Sequence, residues 1–197
     1  MIYNKVFCVT GAILLFLLLF ACQSDYTKLV NLEASKGLQQ DSLLFGMSFG
    51  DTKKSFFDRC GELNKKKLVS QGPNNRSVLY TLSSKEDDKN LTAIDMLFYG
   101  NFNKSDIMVG MDLEFTYKAW SLWNKDYEAQ KLLPVVMDTL MKWFHGNPFI
   151  PMEREKSDIE IFVKVDANRQ ITAFAKNNKD VAVRIEDLKL KYPEKFE

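Results

Sequence analysis

The stretch GMSFG sets Ser48 between Gly46 and Gly50, the G-x-S-x-G spacing in which a hydrolase serine stands on a tight turn between a strand and a helix. Acyl transfer at such a serine needs a general base, and the only histidine in the chain is His145. The local context suits the motif, because LLF precedes it and a helical pattern follows Gly50. The wider context does not. A nucleophile elbow belongs to a mostly parallel sheet with helical crossovers, whereas this chain offers two convincing helices and strands joined by short turns. His145 falls at the end of the second helix, where the helix dipole stabilises an imidazole. Gly46 and Gly50 therefore read as turn residues, and no catalytic residue is expected.

Other reactive constellations are equally thin. One histidine and one spare cysteine make none of the usual zinc sites. Asp166-Ala167-Asn168-Arg169-Gln170 begins like a calcium loop but lacks the glycine and closing glutamate such a loop needs, so it reads as a hairpin turn. Glu86, Asp87 and Asp88 form an acidic, solvated turn. No Gly-rich phosphate loop is present, and neither a metal nor a cofactor is expected. Four aromatic residues in YKAWSLWNKDY, namely Tyr117, Trp120, Trp123 and Tyr127, have two readings. Large rings with polar handles anchor partners or ligands at interfaces. The plainer alternative is that they fill the seam between two half-domains, with Trp143, Phe144 and Phe149 nearby.

What must position these residues begins with a leader. Lys5 precedes an apolar run from Val6 to Ala21, within the range of a secretory signal and short for a membrane span. Residues 1–21 are thus expected to be a signal peptide. Leu19-Phe20-Ala21-Cys22 resembles the lipobox of bacterial lipoproteins. That resemblance implies cleavage before Cys22, diacylglycerol on its sulfur, and attachment to a membrane through the N-terminal lipid. Gln23 in place of an aspartate then favours the outer membrane of the cell envelope. Cys8 leaves with the leader and Cys22 is acylated, so Cys60 has no partner for an internal disulfide. It reads as a small buried apolar residue.

The chain carries 27 basic and 26 acidic residues, so charge gives no case for nucleic acid. Residues 22–42, mostly polar, read as a lipid-anchored spacer, partly helical. Asp51 or Thr52 can cap a helix with Phe56, Phe57, Cys60 and Leu63 on one face. Three strand-like runs follow, over residues 77–83, 91–99 and 107–117; in the third, Ile107, Val109, Met111, Leu113, Phe115 and Tyr117 alternate with the opposite face. A second helix carries Leu133, Val136, Met137, Leu140, Met141 and Phe144 and ends at Gly146 and Pro148; Pro134 kinks it or lies in its first turn. Strand candidates at 159–165, 170–175 and 181–186 complete the order.

The expected fold is therefore α+β: two helix-plus-three-strand antiparallel units in tandem, residues 43–123 and 124–197, with helices packed on sheets. Helix then strands, with the entry GMSFGDTKKSFF, resembles the small α+β domains of the BamE/SmpA outer-membrane lipoproteins. The tandem order resembles beta-lactamase-inhibitor-protein-like folds. Both resemblances imply a non-catalytic binding or assembly role, in which an envelope lipoprotein binds a protein partner. The alternative is an envelope protein with a pocket between the units that binds glycan or lipid, or hydrolyses a substrate.

Overall fold

Thr52 accepts a hydrogen bond from the Ser55 amide at 3.1 Å and so starts the helix Lys53–Lys65, as its position in the sequence suggested. The structure is a computed structural model, and it describes residues 24–82, 93–152 and 159–196. The leader, Cys22, the Glu86-Asp87-Asp88 turn and the start of the second predicted strand lie outside the described residues.

Helices α1 (Asp25–Ser35), α2 (Lys53–Lys65) and α3 (Ala129–Trp143) accompany strands β1 (Ser70–Gln71), β2 (Val78–Leu82), β3 (Ile94–Phe102), β4 (Met108–Tyr117), β5 (Ile150–Met152), β6 (Ile161–Asp166), β7 (Arg169–Ala175) and β8 (Asp180–Asp187). Two short helices, α4 (Leu188–Lys191) and α5 (Pro193–Phe196), close the chain. The strands form one eight-stranded antiparallel sheet in the order β1-β2-β3-β4-β8-β7-β6-β5. The α+β class holds. The expectation of two separate three-stranded sheets is corrected: β4 and β8 pair directly from Gly110↔Glu186 to Thr116↔Asp180. Each half brings a fourth strand. β1 has two residues and β5 has three, including Pro151, too few for alternation to show, and brevity and proline are how edge strands avoid further pairing.

One face of the sheet carries the main core. Met96, Phe98, Met111, Leu113, Phe115, Ile171, Val183 and Ile185 point there and are fully or almost fully buried. Each such large apolar side chain contributes about 1.5–3 kcal/mol relative to exposure. Helix α2 supplies Phe56, Cys60 and Leu63; Phe57, expected on the same stripe, is 59% exposed. Helix α3 supplies Ala129, Leu132, Leu133, Val136 and Leu140 and covers β4, β7 and β8. Pro134 lies inside it, where it cannot donate to the carbonyl one turn back. The alternation predicted for β4 slips at its start. The register shifts between Asn101 and Phe102, so Met108 rather than Ile107 or Val109 reaches the core, as a bulge dictates.

Among the described residues the other face is covered only at one end. Val163 and Val165 face Val30 of α1 and Leu188 of α4 in a second small core. The stretch expected as a spacer is therefore helical over Asp25–Ser35 and packed against the sheet.

Candidate functional site

Four buried polar residues at the β6-β7 hairpin, Lys164, Asp166, Asn168 and Arg169, tie it to Asn147 and to residues 40–42, beside the point where Glu33 of α1 docks. Asp166 and Arg169 flank the turn Ala167-Asn168, with Ala167 at a positive φ of 52°. The hairpin read from DANR is present. Lys164 is completely buried, 2.8 Å from Asp166, and donates to the Asn147 carbonyl at 2.5 Å. Asp166 also accepts the Asn147 amide at 2.8 Å. Glu33 of α1 accepts from the Ala167 amide at 3.0 Å and from the Asn147 side chain at 2.6 Å. Burial opposes ionisation of Glu33, but Lys36, the Ala167 amide and Asn147 outweigh it and hold the carboxyl below its ordinary range. Arg169 lies 4.6 Å over the Phe144 ring and donates to the Ser42 carbonyl at 2.9 Å. Burial lowers its pKa while Asp166 opposes that shift. Asn168 accepts the Gln40 amide and donates to Asp41 and Asp187. Among the described residues the partners of these side chains are other parts of the chain, so the node acts as a clasp, with the buried Arg169 Nε left without a partner.

Ser48 lies in a loop rather than at a strand end. The Leu43 amide donates to the Met47 carbonyl and the Met47 amide to the Leu44 carbonyl, Ser48 bridges Ser42, and the Ser48 amide donates to Asp51 at 2.8 Å. Gly46 and Gly50 have φ of 75° and 87°, the left-handed turn positions expected of them. His145 is exposed past the end of α3. Among the described residues no hydrogen bond links it to Ser48, and no group of three His, Cys, Asp or Glu side chains could hold a metal ion. Cys60 is buried, and burial pushes its thiol up to about 11.

The aromatic quartet divides. Tyr117 and Tyr127 meet edge to face at 5.2 Å, and Trp120 is half-buried beneath Lys179, 5.7 Å from its ring centroid. Trp123 is 91% exposed and Leu122 beside it 69%. The seam these rings were expected to fill is closed by the β4-β8 ladder instead; Tyr117 is the last residue of β4 and the other three follow it.

What the sequence did not single out is the uncovered part of the second sheet face. It forms a groove of about 500 Å³ across β3, β4, β8 and β7. Register places its side chains in rows, because paired residues share a face. One row runs Leu79, Leu97, Glu114, Ala182, Phe174 and Ile161 from β2 to β6. The next runs Tyr99, Asp112, Arg184 and Thr172, and on the other side Thr81, Asp95, Thr116 and Asp180 stand in line. Arg184 pairs with Asp112 at 2.9 Å and Lys176 with Glu114 at 2.7 Å. Tyr99 is 42% exposed among them; burial, Asp112 and Glu114 raise its phenol pKa against Lys176 and Arg184. The signal was alternation itself: Asp112, Glu114, Arg184 and Glu186 interleave with core residues, but only register shows that they adjoin Leu97 and Phe174.

No family model and no curated protein matches the chain. Among solved structures it is similar to a DUF4309 family protein, YjgB, from Bacillus subtilis subsp. subtilis str. 168, at 14% identity. The match covers 81% of this chain and 94% of that one, with a TM-score of 0.34.

Proposed function

We propose that the chain is a non-enzymatic lipoprotein of the cell envelope, acylated at Cys22, that binds a protein partner through the uncovered face of its sheet. The observation that carries this reading is that face itself, where a row apolar except for Glu114 lies between two polar ones and a groove opens beside it across β4, β8 and β7. Such a mixture of aromatic, aliphatic and charged side chains suits a protein interface, and its salt bridges hold each other in place before a partner arrives. The order of elements supports a finer view of the fold, in which a helix followed by four strands occurs twice and the two units share one sheet. The lipobox, and its resemblance to lipoproteins of the outer membrane, supports the anchor.

A photoreactive amino acid at Leu97 or Thr172, compared with the same probe at the exposed Phe57 on α2, tests the binding reading in intact cells. Protein adducts are expected from the sheet positions and not from Phe57; their absence at both sheet positions would sink it. Labelling with an alkynyl fatty acid tests the anchor, and Cys22→Ser should abolish the label.

A second reading rests on Trp123. An exposed Leu-Trp pair at the tip of a loop pinned by the Tyr117-Tyr127 contact is a ready anchor for a partner or ligand. Adducts confined to a probe at Trp123 would favour it.

A further inference from the structure

We infer that the uncovered sheet face takes an amphipathic, positively charged α-helix of the partner protein, laid across the strands; this rests on the partner-binding reading above. The row Leu79, Leu97, Glu114, Ala182, Phe174 and Ile161, apolar except for Glu114 on β4, crosses six neighbouring strands. Five intervals of about 4.8 Å make it about 24 Å long, which matches about 16 residues of helix at 1.5 Å each. An extended segment on the same face would leave its backbone groups without partners, since the sheet's own are paired, whereas a helix satisfies them internally.

Charge selects the sign. The described residues of this face carry five carboxylates, on Asp95, Asp112, Glu114, Asp180 and Glu186, because each alternates with a core residue on its strand. Lys176 and Arg184 are the cations among them, and Lys191 stands at the rim of the groove. Lys176 and Arg184 are already engaged by Glu114 and Asp112. Among the described residues Asp95 accepts from Thr81 at 2.7 Å, and Asp180, which lies within the field of Lys176, accepts from the neutral Thr116 and Asn177. These two carboxylates flank the apolar row in one line, two strands apart. That separation is about 10 Å, or about seven residues along a helix. The partner helix thus bears leucine-like residues on one stripe and two basic residues about seven apart on its flank.

Three 16-residue synthetic peptides test this by fluorescence anisotropy against the full chain in detergent. One has a leucine stripe and two flanking lysines at that spacing, one has glutamates in place of those lysines, and one is a scramble of the first. The lysine peptide is expected to bind at least about tenfold tighter than either control, each tenfold being 1.4 kcal/mol, and to weaken as salt rises. Leu97→Asn should weaken it by a similar factor, Asp95→Lys should reverse the preference toward the glutamate peptide, and Trp123→Ala should change nothing. Equal affinity for all three peptides, or loss of binding on Trp123→Ala alone, would overturn the inference. So would a concentration-dependent dimer, seen by sedimentation, that Leu97→Asn dissolves, because the occupant would then be a second copy of the chain. Cellular adducts from Leu97 that map to an acidic or non-helical segment would overturn it while leaving the partner-binding reading intact; no adducts at all would end both.

Discussion

Lys164 and Arg169 are both buried and both lean on one carboxylate, Asp166, at 2.8 and 3.6 Å. Removing either cation leaves Asp166 the other, but Asp166→Ala strands two cations and the Asn147 amide together. We expect Asp166→Ala to cost about 3–5 kcal/mol and Lys164→Met much less, read from urea unfolding midpoints. Gly146 sits at φ 136° with the Asp166 carboxylate where a Cβ would go, so Gly146→Ala should cost at least about 2 kcal/mol through strain and overlap. Cys60 gives a gentler test. With its thiol raised to about 11 by burial, a variant lacking Cys8 and Cys22 should not react with a thiol reagent at pH 8 until denaturant is added; rapid native labelling would contradict the packing of α2. The sequence spoke unevenly at this scale. Cys60 was legible because a lone cysteine on a helical stripe has few other uses. Asp166 was legible as a turn but not as a clasp, because its role depends on Asn147 and Glu33, which sequence proximity does not reveal.

At the scale of elements, α1 shows how polarity misleads. Residues 22–42 look like a spacer because they hold few apolar side chains, and only Val30 and Glu33 of the helix are buried. It docks through Glu33, which accepts from the Ala167 amide, through Tyr26, which donates to Gln170, and through the following Gln40, whose amide donates to Asn168, contacts that hydrophobic periodicity does not register. Glu33 makes the docking sensitive to acid. Its carboxyl ionises more readily folded than unfolded, so its contribution is complete above the unfolded value of about 4.3 and is lost as pH falls through the lower folded value. Between pH 5 and pH 3 the unfolding midpoint of the native chain should fall more steeply than that of Glu33→Gln; parallel slopes would show that Glu33 is not the linked group. The long strands and both core helices were legible from their periods. β1 and β5 were not, since two or three residues contain no period.

For the molecule as a whole, the decisive feature is that β4 pairs with β8 and makes one sheet of two halves. Nothing in either strand's residues names that partner: β4 beyond its bulge and β8 both alternate and would serve equally at the edge of a smaller sheet. Pairing is chosen by which arrangement buries the common face beneath α2 and α3, a property of the complete chain. The same choice leaves the groove face open and puts the candidate site beyond the reach of motif reading. It also predicts coupling between halves. Val183→Ala, at the centre of β8, should lower the stability of both halves in a single transition, and hydrogen exchange should show amides of β3 and β7 losing protection together.

The start of α1 at its Ser24 cap bears on how such a protein would meet its targets. If acyl chains sit on Cys22, one residue, Gln23, separates them from the helix cap, a leash of at most about 7 Å. The body would then ride flush with the lipid surface and drift sideways with it, so encounters would be two-dimensional, and only neighbours that share the same membrane, or reach down to it, would come within range.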